Sequence, residues 1–330
     1  MTMEYNQWKE ILSAVNADKN LSKDNVIEKI KGELPQDSDE YKEWSEANFD
    51  VNYQFEMERM PRGEGYQTGM GPILDLSCTL LGLATINGYT KVVDVLAKAE
   101  ADVSKVLGEE NTPLHLAAYY GHTEIADILI KAGANPSAAS DSENTPLHWA
   151  AYKGYRDTVN LLIKARANLD AVNYGKDTPL HWAVFGNHEE VVSILIKAGA
   201  NLNAVNGCKE TPLNRAAKYN NTKMFDILTK AGADLLTFDK NGHVRQFLEK
   251  KAKKNGLYAG GASALLSTAA AVALFATGTV AVELIPIVIA VAAIATTALV
   301  VGGITYMMLK PSTKMDGVKG QDLEKNKREI

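Results

Sequence analysis

Cysteine is nearly absent: Cys78 and Cys208 are the two in 330 residues. That excludes a disulfide framework and a cysteine-rich zinc site, and suits a reducing compartment. Positive charge is not in excess either, since 35 Lys and Arg against 40 Asp and Glu leave a formal charge of −5. Nothing in that balance favours a nucleic-acid partner, and none is expected. The chain has no P-loop, H-E-x-x-H, G-x-S-x-G or dinucleotide fingerprint, and its acids are scattered. An enzyme is therefore not expected, nor a cofactor or metal. The opening stretch MTMEYNQWKEILSAV lacks a long apolar run after a basic start, so no export signal is expected. Long apolar runs are missing throughout the first three-quarters of the chain, and one appears after that.

What is present is a period. Thr112, Thr145, Thr178 and Thr211 each open a Thr-Pro-Leu triplet, and consecutive ones lie 33 residues apart. One further step back lands on Thr79, in TLLGLATINGYTKVVDVLAKAEADV. A fixed spacing of this size marks stacked units rather than one globular core.

Each unit explains itself from its Thr, taken as position zero. Thr caps a helix N-terminus, and Pro is tolerated at the first helical position because its missing N–H would be unpaired there anyway. Position nine carries Gly88, Gly121, Gly154, Asn187 and Asn220, the two residue types that enter the left-handed region cheaply. The first helix should stop there. A second helix follows, with Leu96, Leu129, Leu162, Leu195 and Leu228 at position seventeen. Gly133, Gly199 and Gly232 should end it. Glu100 and Arg166 occupy the same place in units one and three and predict strained or looser exits.

This pattern resembles the ankyrin repeat: T-P-L-H, then A-A, then G-H, then an L-L-x-x-G-A-N/D ending. The resemblance covers about residues 77 to 241 and implies L-shaped units of two antiparallel helices with a projecting hairpin finger. The fold class is then an all-α solenoid, with units at 77–109, 110–142, 143–175, 176–208 and 209–241. The finger glycine is missing in LGEENT and SDSENT and shifted in NYGKDT and NGCKET. The recurring His115, His148 and His181 would, by the resemblance, bond Thr and backbone across neighbouring repeats. A shared metal is disfavoured: packed helices lie about 8–10 Å apart, while zinc needs each nitrogen within about 2 Å.

In ankyrin-like units, positions four, seven and eight of the first helix look toward the concave face. Here they are Leu116, Tyr119 and Tyr120; Trp149, Tyr152 and Lys153; Trp182 and Phe185; then Arg215, Lys218 and Tyr219. An aromatic ridge ending in basic residues is expected, and these are the candidate partner-binding residues. The same rings could instead pack on the finger bases; both readings stand on sequence alone.

Residues 1–52 carry three short helical patterns and read as an N-terminal cap. Ser22 is the expected N-cap of the second and Gly32 its stop. The third, KEWSEANFDVN, resembles the tail of a repeat, with Trp44 in the leucine place and Asn48 in the left-handed place. Residues 53–76, rich in Gly, Pro and Met, read as a flexible insertion, with a docking loop as the alternative, and 242–256 as a closing helix and basic linker.

From Leu257 to Leu309 run 53 residues with one charge, Glu283. One helix of that length would span about 80 Å, against a hydrocarbon core of about 30 Å. Two crossings, about 259–282 and 284–309, fit. Lysines flank the run on both sides, which predicts a multi-pass membrane protein with the repeats and both termini cytoplasmic. The near-absence of a polar turn leaves a re-entrant hairpin as the alternative. Small residues in the run would allow close packing, including homo-oligomers through the hairpin. The tail 310–330 is charged. The expected function is a membrane-anchored scaffold that binds a protein partner through its concave groove and fingers, a plan similar to ankyrin-repeat proteins of intracellular bacteria that end in a hydrophobic hairpin. The alternative is a membrane-active protein whose hairpins form a pore or remodel lipid.

Overall fold

A computed structural model of the protein describes residues 5–56, 77–105, 111–235 and 242–254. Of the 53–76 insertion, residues 57–76 lie outside the described residues, as do the first finger tip and everything from 255 onward, including the apolar run and the charged tail. Among the described residues no helix is long and apolar enough to cross a membrane.

Fourteen helices and two short strands are described. At the N-terminus come α1 (Tyr5–Ala17), α2 (Val26–Glu33) and α3 (Asp39–Glu46), then β1 (Gln54–Glu56) and β2 (Ser77–Thr79). The repeats follow as inner and outer helices: α4 (Leu80–Ile86) and α5 (Thr90–Lys98), α6 (Pro113–Tyr120) and α7 (Thr123–Lys131), α8 (Pro146–Lys153) and α9 (Arg156–Lys164). Then come α10 (Pro179–Phe185) and α11 (Glu189–Lys197), α12 (Pro212–Lys218) and α13 (Thr222–Lys230), and finally α14 (His243–Lys254).

Both helices of every repeat end in the same closure. After each outer helix the alanine N–H at Ala101, Ala134, Ala167, Ala200 and Ala233 donates back to the leucine carbonyl at 2.9–3.0 Å. The residue between must be left-handed, and it is: Gly133, Gly199 and Gly232 have φ of 92–99°, while Glu100 and Arg166 are held at 64° and 63°. The exits of repeats one and three are thus not looser. They take the same turn with a side chain that costs about 1–2 kcal/mol there. Inner helices close alike, with φ between 55° and 78° at Gly88, Gly121, Gly154, Asn187 and Asn220. Glu143, Lys176 and Lys209 stand left-handed in the fingers, at φ of 57–60°, each two residues before its repeat's Thr.

The five leucines at position seventeen are wholly buried and form the core between the helix layers. Fingers are tied in series: Tyr174 N–H donates to the Ser142 carbonyl at 3.0 Å, and Gly207 N–H to the Gly175 carbonyl at 2.8 Å.

The cap departs from its sequence reading in two places. Gly32 lies inside α2, which ends instead at Leu34, extended at ψ 136°. Pro35 follows, and a residue before proline is pushed out of the helical region. The N-cap position belongs to Asn25, whose side chain accepts the Ser22 N–H at 2.8 Å. The insertion is clamped at its base, because β1 and β2 pair antiparallel with Phe55 opposite Cys78. Phe55 is buried against Trp8 and Trp44, at ring centroids of 4.5 and 5.5 Å. Asn48 has φ +53°, and Asn52 Oδ1 accepts the Asp102 N–H at 2.7 Å. Ser137, Asp170 and Asn203 make that same link between later repeats. At the far end α14 covers the stack, with Phe247 on Phe225 at 4.3 Å.

Candidate functional site

The inner helices begin at a three-atom lock. Nδ1 of His115, His148 and His181 accepts the backbone N–H of the Thr three residues before, at 3.1–3.2 Å. Nε2 therefore carries the proton and donates to the carbonyl of Asn144, Asp177 or Glu210 in the next repeat, at 3.0–3.1 Å. Both nitrogens are used, which leaves neither for a metal. Burial lowers all three histidines to about 4, so the rings are neutral at pH 7. In repeat five Asn214 does the same local work, its Oδ1 accepting the Thr211 N–H at 2.8 Å.

In α6, α8 and α10 these locks tie the helix start to the next repeat and so hold in place the residues that follow on the concave face. The expected ridge is a run of rings. Tyr119 meets Trp149 at 5.4 Å, Trp149 meets Trp182 at 5.0 Å, and Tyr152 meets Trp182 at 5.7 Å. Phe185 stacks on Tyr152 at 6.1 Å and meets Tyr219 edge-on at 6.0 Å. Such pairs contribute about 0.5–1.5 kcal/mol each beyond burial.

Exposure is graded along the ridge. Leu116, Tyr119 and Trp149 are buried, and Tyr120 is half-buried with its phenol pushed up to about 12 by burial. Tyr152, Lys153 and Trp182 are half-buried. Phe185 and Tyr219 stand 39% and 57% exposed. The more open part of the ridge therefore lies in repeats three to five, with Tyr120 half-buried in repeat two and Leu116, Tyr119 and Trp149 buried beneath.

The basic end of the ridge is not free charge. Arg215 pairs with Asp177 at 3.0 Å and approaches Glu210 at 3.8 Å. Lys218 pairs with Glu210 at 2.7 Å, a hydrogen bond that raises its ammonium. Sequence reasoning missed Asp177 and Glu210. The signal was there: both take the place before the Thr that Asn111 and Asn144 hold in earlier repeats. Lys153 differs. Its Nζ lies 4.4 Å from the Tyr119 ring centroid and 5.9 Å from that of Tyr152, and it makes no ion pair among the described residues.

A family model described as ankyrin repeats, in three copies, matches residues 80–173 and again 166–239. The chain carries ankyrin repeats. No curated protein matches the chain. Ankyrin repeats serve in general as interaction scaffolds rather than enzymes, and the array here is a helical solenoid of that kind.

Proposed function

We propose that the protein is a membrane-anchored scaffold whose ankyrin array grips a protein partner on the concave face of repeats three to five. The observation that carries the reading is the exposed end of the aromatic ridge, where Tyr152, Trp182, Phe185 and Tyr219 form a continuous, partly open surface. Aromatic side chains dominate protein–protein binding energy, and here they are pre-ordered by the rings beneath them. The anchor is supported by the 53-residue run with its single charge, and the lysine flanks favour a cytoplasmic side for the repeats and both termini.

Proximity labelling from the full-length chain, and from a version ending at Asn255, tests both halves. The full-length chain should label membrane neighbours, and the shorter one should lose them while keeping the partner. Substituting Phe185→Ser with Tyr219→Ser should remove the partner from both. These two positions are better probes than the tryptophans, because Trp149 is 4% exposed and its loss would disturb packing as well. Partner labelling unchanged by the double substitution would end the groove reading. Leakage of liposomes by the full-length chain would favour membrane action instead.

A further inference from the structure

Two donors on helix α8 stand out in and beneath the concave patch, the Lys153 ammonium and the Trp149 indole N–H. The Lys153 ammonium is half-buried on the faces of Tyr119 and Tyr152 and meets no carboxylate among the described residues. The Trp149 indole N–H, on the same helix α8, is buried and has no acceptor among them. By contrast, Arg215 and Lys218 are already satisfied by Asp177 and Glu210. Position eight is charged in repeat three alone; Asn87, Tyr120, Gly186 and Tyr219 hold it elsewhere. A partly dehydrated cation flanked by aromatic rings, with one side open, is most stabilised by an incoming anion.

Building on the groove reading above, we infer that the occupant is an extended acidic segment of a partner protein. One Asp or Glu side chain seats on Lys153, and a neighbouring apolar side chain packs against Trp182 and Phe185. The chain as a whole carries −5, so its overall field repels such a segment and the preference must arise at this patch.

The test is selection from a random dodecapeptide library on the full-length chain and on its Lys153→Glu form. The wild type should enrich peptides with Asp or Glu beside an aliphatic or aromatic residue, and the reversed variant should shift toward Lys or Arg. The best synthetic peptide should bind Lys153→Gln about tenfold more weakly. Peptides without acidic preference, bound equally by Lys153→Gln yet lost with Phe185→Ser and Tyr219→Ser, would overturn the acidic occupant and leave the groove standing. No enrichment, or peptides indifferent to both ridge substitutions, would overturn the groove itself.

Discussion

Replacing His148 with Asn should change not only how stable the array is but how its stability depends on pH. The ring is buried and neutral, held at about 4 against an ordinary 6.5. Because the folded value is the lower one, the contribution is complete above about pH 6.5. It falls as the unfolded chain takes up a proton that the folded chain refuses, and is fully lost near pH 4. At about 1.4 kcal/mol per pH unit, each of the three histidines accounts for about 3 kcal/mol across that window. Domains as a whole hold only about 5–15 kcal/mol, so mild acid should unfold the array. Asn is the informative replacement because Asn214 already fills the place in repeat five and keeps the Thr cap at 2.8 Å. What His148→Asn loses is the Nε2 donation to the Asp177 carbonyl, at 3.0 Å in the wild type. Leaving that acceptor unmet costs about 1–3 kcal/mol at neutral pH. By about pH 5 the wild type has surrendered about 2 kcal/mol through this one histidine, and the variant has not. Urea denaturation followed by tryptophan fluorescence should show the two proteins far apart at pH 7.5 and nearly equal at pH 5. An equal gap at both pH values would refute the neutral, backbone-locked histidine.

Other outcomes follow from the same geometry. Arg166→Gly and Glu100→Gly relieve a left-handed side chain at φ of 63° and 64°, and should each raise the urea midpoint by the equivalent of about 0.5–1 kcal/mol. Gly186→Ala should destabilise by about 1–3 kcal/mol although Gly186 is right-handed at φ −70°. A Cβ there would meet the Tyr152 carbonyl oxygen at 2.5 Å, and a midpoint unchanged in urea would contradict the packing. On the membrane side, the full-length chain should stay with vesicles through alkaline carbonate while the version ending at Asn255 washes off. Release of both would remove the anchor.

The repeats were legible because their demands are local. A left-handed residue at position nine asks for Gly or Asn, and the sequence supplies one every 33 residues. The frame was strong enough to place Glu100 and Arg166 in the same turn, although their side chains argue against it. The histidine role came from the resemblance rather than from spacing, and the contacts to the Thr three residues before and to the next repeat's carbonyl agree with it. Burial along the ridge was not. Tyr119 and Trp149 are covered by rings of neighbouring repeats, a consequence of stacking that a single unit's pattern does not contain. Charge was misjudged for the same reason: Arg215 meets Asp177, 38 residues away, only once the repeats are side by side. In the cap, glycine was given more authority than it has, and the proline at 35 decided where α2 ends.

The most direct measurement places a photo-crosslinking phenylalanine analogue at Phe185 of the full-length chain, with a control at Lys164 on the outer helix. Illumination should give discrete protein adducts from position 185 and none from 164. Adducts of equal yield from both faces, or none from position 185, would contradict a concave ridge built to receive a protein.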